Sequence, residues 1–167
     1  MLLLTPAAAR LVTDIRIATR TGPARVARAL RPYLTDPLLL DPDQFQPDPD
    51  QYVQHVLHVE PDGSFSLVAL VWLPGQVTPV HDHVSWCVVG VWRGAEHETT
   101  YRISDDQLVP ESVRISYQGA ADYLMPPGDI HRVSNATDGL VVSLHIYGCD
   151  VNRLGSSIRR CYDLPIR

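Results

Sequence analysis

The chain is short of positive charge. Its 14 basic residues face 19 acidic ones over 167 residues, a formal net charge of −5. A phosphate-binding surface needs a basic stripe, so no nucleic-acid partner is expected. Long apolar runs are also missing. Ser66 to Leu73 closes at Pro74-Gly75, well short of the roughly 20 residues a membrane helix needs, so no membrane partner is expected either. The stretch MLLLTPAAARL lacks a basic region ahead of its apolar residues, and that apolar run is too short for a secretory signal. Cysteine is scarce: three residues, an odd number and widely spaced, exclude a disulfide framework. Internal repeats and low-complexity tracts are absent. These absences together point to a cytoplasmic protein with free thiols.

What remains is an ordinary globular composition, 45% hydrophobic, long enough for one domain with a real core. The first third has helical character. Thr5-Pro6 reads as a cap and first helical position before AAARLVTDIRIATR, with Leu11, Ile15 and Ala18 at helical spacing. A second helix is expected from Pro23, carrying Val26, Leu30 and Tyr33 on one side. Asp36 to Asp50, rich in Pro and Asp, reads as a linker without regular structure. From Gln51 the pattern changes to short β-like runs: YVQHVLHVE, SFSLVALVWL, SWCVVGVW, HETTYRI, VRISY and LVVSLHIY. Turn signals such as Pro74-Gly75 and Asp138-Gly139 separate them. Many short strands closely spaced predict an antiparallel barrel with room for one ligand in its mouth. The organisation expected is one domain over 1–167: helices and linker in 1–50, barrel in 51–148 and a tail in 149–167.

Two constellations carry chemistry. His81 and His83 lie two apart on a presumed strand, so both face the same way. His131 follows the turn Pro126-Pro127-Gly128-Asp129-Ile130, which would deliver it to a neighbouring strand. Three imidazoles on one wall suit a divalent transition metal. The second constellation is Ser143-x-His145-x-Tyr147. Alternation puts these three on one face of a strand, and two placements follow from it. They form a solvent face, or they face the barrel interior while Val142, Leu144 and Ile146 meet an outer apolar layer. In the second case Ser143 orients His145 and His145 holds the Tyr147 hydroxyl.

The spacing Gly75…His81-x-His83…Cys87…Gly94 resembles the first motif of the cupin superfamily, with Cys87 where a Glu ligand is usual. Pro126-x-Gly128-x-x-His131-x-x-x-Asn135 resembles the second motif, with Gly119 one residue early. The fold implied is mainly β, a double-stranded β-helix barrel with N-terminal helices. The three-His site, the missing Glu and the Ser-His-Tyr set together resemble the thiol dioxygenases of the cysteine dioxygenase family. That resemblance implies Fe(II) on His81, His83 and His131, a small thiol and O2 as substrates, and a sulfinic acid product. It gives Tyr147 a hydrogen bond to the bound oxygen or a part in positioning substrate. It pairs Cys87 with Tyr147 as a thioether, although the gap from His83 to Cys87 is one residue shorter than in the animal enzymes.

The resemblance also bears on substrate choice. Cysteine-selective members carry Arg in a Tyr-x-Arg pattern where this chain has Tyr52-Val53-Gln54. Gln54 therefore resembles the bacterial Gln-type members, which include 3-mercaptopropionate dioxygenases. A substrate carboxylate then needs another cation, for which Arg159 and Arg160 are the candidates, since guanidinium grips carboxylate with two bonds. Trp72, Leu70, Trp86 and Tyr52 fall at or near pocket-wall positions of the family. His55, His58 and His97 read as surface or packing residues, and Asp82 points away from the metal by alternation. Two other readings stand beside this one: a Zn-dependent cupin hydrolase or isomerase, since three His also hold catalytic Zn, and a non-enzymatic small-molecule-binding cupin.

Overall fold

A computed structural model describes residues 3–167. Helix α1 (Pro6–Ala18) begins where Thr5 caps it, its hydroxyl accepting from the Ala8 amide at 3.0 Å. Helix α2 (Pro23–Leu30) follows, and both bury one apolar stripe. Tyr33 lies beyond α2, on a single 3₁₀ turn at Arg31–Tyr33, with its hydroxyl donating to Asp14. The linker is less irregular than its composition predicts. It contains a 3₁₀ turn at Pro42–Gln44 capped by Asp41, and it buries Leu39 and Leu40. Trp92 pins it, donating its indole N–H to the Asp36 carbonyl at 2.8 Å.

Among the described residues, ten strands make two antiparallel sheets. The first orders β1 (Val53–Val59), β2 (Ser66–Trp72), β9 (Val141–Tyr147), β4 (Cys87–Arg93) and β7 (Ala121–Leu124), in the sequence β1-β2-β9-β4-β7. The second contains β10 (Ile158–Cys161), β3 (His81–His83), β8 (His131–Asn135), β5 (Ala95–Ser104) and β6 (Gln107–Tyr117), in the order β10-β3-β8-β5-β6. The tail after residue 148 is therefore part of the barrel: β10 closes the edge of the second sheet against β3. Between β9 and β10 lies a single-turn helix, α3 (Val151–Leu154).

Alternation along the first sheet builds two cores. Leu67, Ala69 and Val71 of β2 and Val142, Leu144 and Ile146 of β9 face outward and pack on α1 and α2. Each such side chain contributes about 1.5–3 kcal/mol when fully buried. The helices come close at Gly90, where an added Cβ would stand 2.5 Å from Leu30 Cδ2. The opposite face of the same strands, with Val68, Leu70, Trp72, Cys87 and Tyr147, fills the barrel interior. Strands β2 and β9 are thus buried along their whole length, which explains their nearly continuous apolar runs. Among the described residues no helix is long and apolar enough to cross a membrane.

Candidate metal centre

His81 and His83 come from β3, whose three residues are all buried. Strand β8 pairs with it so that His131 stands opposite His81. Gly128, with φ of +99°, makes the turn that aims His131 there. The candidate ligand atoms of the three imidazoles lie within 4.8 Å of one another.

The far nitrogen of each ring has a partner. His81 Nδ1 meets the Pro79 carbonyl at 2.9 Å, His83 Nδ1 meets Asp129 Oδ2 at 2.9 Å, and His131 Nδ1 meets Glu98 Oε1 at 2.7 Å. Each of these acceptors requires Nδ1 to carry the proton, which leaves Nε2 with its lone pair. The Nε2 atoms of His81 and His131 then face each other at 3.2 Å with no proton between them. Two lone pairs at that distance repel unless a cation lies beside both. The donor set therefore fits a divalent transition metal. Burial, helped by the neighbouring imidazoles, pushes His81 down to about 3 and His83 to about 4. Both rings are accordingly neutral at neutral pH, the form a metal needs.

Asp82 points outward, as alternation predicts. It accepts from Tyr162 at 2.8 Å and pairs with Arg159. Burial raises its carboxyl, but Arg159 and Tyr162 outweigh that and hold it below its usual range.

Across the barrel, β9 turns Ser143, His145 and Tyr147 inward, because the helices cover its other face. Ser143 Oγ lies 3.0 Å from His145 Nε2, and Tyr147 Oη lies 3.1 Å from His145 Nδ1. Trp72 extends the line, its indole N–H reaching Ser143 Oγ at 3.4 Å. Cys87 stands directly opposite Tyr147 in the β4–β9 register, with Sγ 3.9 Å from His145 Nδ1. Burial, the largest cause, pushes the Cys87 thiol and the Tyr147 hydroxyl well above their ordinary ranges. Both keep their protons at neutral pH.

A small cavity of about 70 Å³ joins the two constellations. Tyr52, Gln54, Leu70 and Trp72 form one wall, the three imidazoles another, and Ser156, Ser157 and Ile158 close it. Tyr52 stacks on Trp72 at 4.7 Å. Trp86 is not on this wall; it packs with the helix-facing core, its indole against Gly148. The expectation for Arg159 and Arg160 is corrected. Arg159 reaches Asp82 on the outer face of β3, and the Arg160 guanidinium lies 4.8 Å over the Tyr162 ring. Among the described residues no arginine lines this cavity. His55 and His58 engage the Gln46 carbonyl and Glu60, away from it.

Sequence reasoning missed Glu98 and Asp129, the carboxylates that hold two of the imidazoles from behind. Asp129 was within the quoted turn, two residues before His131. Glu98 had a weaker signal, since only β5–β8 pairing brings it to that ring.

Facing antiparallel sheets with three converging imidazoles define a metal-binding cupin barrel. Solved structures agree on the fold. A protein with a double-stranded β-helix domain from Klebsiella pneumoniae superposes with a TM-score of 0.52 at 15% identity, covering 65% of this chain and 85% of that one. A cupin superfamily protein from Desulfitobacterium hafniense gives 0.50 at 10% identity, covering 64% and 84%. Within that class, residues 43–155 match the family model for cysteine dioxygenase type I, and the chain belongs to that family. Cysteine dioxygenase type 1 of Homo sapiens is 31% identical over 91 residues, 52% of this chain and 46% of that protein. The Rattus norvegicus protein is 30% identical over the same length. The match thus spans about half the length of these curated relatives.

Proposed function

We propose that the protein is an iron-dependent thiol dioxygenase acting on a short mercapto-carboxylate, 3-mercaptopropionate or L-cysteine. The observation that carries this reading is the Ser143–His145–Tyr147 line, whose His145 and Tyr147 stand on the wall of the cavity that the three imidazoles share. Hydrolysis or isomerisation at a three-His site has no need of such a line. Family membership supports it further. The reaction is RSH + O2 → RSO2⁻ + H⁺: both oxygen atoms end on sulfur and the thiol proton is released. His81, His83 and His131 would hold Fe(II), which supplies the redox chemistry that joins O2 to sulfur.

The chain's own residues do the rest. Three neutral ligands leave the metal's charge uncompensated, which favours a thiolate over a neutral thiol. The hydrogen-bonded line has a direction. An indole can only donate, so Trp72 occupies a lone pair of Ser143, whose proton is then free for His145 Nε2. His145 Nδ1–H in turn donates to Tyr147 Oη, and the tyrosine proton points into the cavity. There it steadies oxygen or sulfur as charge develops. With no guanidinium lining this cavity among the described residues, the substrate carboxylate is left to Tyr52, Gln54 and the serines at 156 and 157. Such neutral donors favour a small substrate with few charges of its own, 3-mercaptopropionate before cysteine.

Oxygen uptake by Fe(II)-loaded protein, with sulfinate quantified, tests this. Uptake faster with 3-mercaptopropionate than with L-cysteine is the expected result. No uptake with either thiol on protein shown to hold iron refutes the reading. Tyr147→Phe should retain iron and lose about 10²-fold in rate, the scale of one lost transition-state donor. The facing of Cys87 and Tyr147 also supports a thioether between them. Two hydrogens would be lost to O2 as it forms, so the linked peptide should be lighter by two hydrogen masses after turnover.

A further inference from the structure

A second, larger cavity opens at the other end of the barrel. Its volume is about 340 Å³, against about 70 Å³ for the thiol cavity. It lies between the two sheets where both present a free edge, β7 of the first and β6 of the second. Val89, Val91, Leu124 and Val133 supply apolar walls. Its charge is unbalanced: among the described residues, Glu96, Glu98 and Asp122 line it with Arg114 as the only cation. Arg114 is already engaged, holding Glu98 Oε2 at 2.8 Å and bridging to Asp122 across the gap between the sheets.

Glu96 is the unsatisfied member. It is only 4% exposed, and its Oε1 has no hydrogen-bond partner among the described residues. His145 Nε2 is 3.9 Å away, too far for a hydrogen bond, and already has Ser143 at 3.0 Å. A buried carboxylate oxygen without a donor is costly, and such groups in folded proteins normally have a partner. Strand β5 aims Glu96 into the cavity together with Glu98, two residues on.

We propose that this cavity is a binding site for a small organic cation, a guanidinium or primary ammonium on a short apolar chain. Its charged end bonds the Glu96 carboxylate and its chain lies against Val89, Val91 and Val133. The volume falls in the range of small-molecule sites, and a few placed polar groups among apolar walls are their usual composition. The site touches the metal centre from behind. Glu98 lines the cavity, and the two oxygens of its carboxylate divide their partners: Oε2 accepts from Arg114, also on the lining, and Oε1 holds His131, so occupancy there bears on the metal's ligand. A cation at this site is therefore placed to act as an effector rather than as a substrate.

Calorimetric titration of the metal-loaded protein with n-propylguanidinium chloride tests the proposal, with n-propylurea as the neutral counterpart of the same shape. Guanidinium is not a metal ligand, so the thiol site does not compete for it. Saturable binding of the cation, at least about tenfold tighter than the urea, is expected. Glu96→Gln should abolish that preference, and Ser116→Phe, which fills the cavity from β6, should abolish binding of both probes. Equal binding of the two probes, no binding of either, or full binding by either variant overturns the proposal. None of these outcomes depends on whether the chain oxidises thiols.

Discussion

The two sheets of the barrel are built by different forces. The first is sandwiched between α1 and α2 on one side and the barrel interior on the other, and β2 and β9 are buried at every residue. The second has no helices packed along its outer face, and β6 is exposed along most of its length. All three candidate metal ligands sit on this second, polar-backed sheet, each held through Nδ1 by Pro79, Asp129 or Glu98. The hydrogen-bonded line sits on the first, held by packing. The difference teaches that ligand orientation and wall rigidity have separate sources here. Substitutions should separate them too.

The largest effect should come from His83→Ala, on the polar-backed sheet. Losing one of three ligands should remove the metal, with at least about a thousandfold lower affinity. The fold should survive, because Asp129 keeps the main-chain N–H of residue 83 at 3.1 Å. Metal content by mass spectrometry, with circular dichroism as control, decides the matter. Stoichiometric metal in a folded variant would remove His83 from the site.

Leu144→Ala is the counterpart on the packed sheet. Leu144 is fully buried against the helices, so about 2–5 kcal/mol of stability should be lost. Metal stoichiometry in the folded fraction should stay unchanged. Denaturant unfolding of the metal-free protein measures the first, and metal analysis the second. A loss of metal as large as that of His83→Ala would show that the two sheets are not separable.

Glu98→Gln is smaller and falls between the two. The amide oxygen can still accept from His131 Nδ1–H, but the negative charge behind the ring is gone. A loss of about 10–100-fold in metal affinity is expected from competition with a chelator. Unchanged affinity would mean that the strand alone orients His131.

How much of this was legible follows from the same division. The three imidazoles were legible because their signals are local: alternation for His81 and His83, a turn for His131. The line on β9 was legible only as two alternatives, since a period of two cannot say which face is inside. The helices decide that, and nothing in Ser143 to Tyr147 mentions them. Glu98 looked like an ordinary strand carboxylate, because its role depends on a pairing between β5 and β8 that is distant in sequence. Arg159 and Arg160 were misplaced for the converse reason. Their types suited a carboxylate, but β10 docks so that Arg159 meets Asp82 instead of the cavity. Residue type suggests chemistry, but here the sheet register decided which groups could reach it.

The smallest effect should come from the outer face of the second sheet. Val113 on β6 is 63% exposed, and Val113→Thr keeps its branched shape in a strand. Stability should change by no more than about 0.5 kcal/mol, with metal content untouched. Denaturant midpoints measured over a range of protein concentrations make this a sharp test. A larger, concentration-dependent loss would mean that this face is covered in solution by another copy of the chain. The second sheet would then be packed on both sides like the first, and its polar backing would no longer be what distinguishes it.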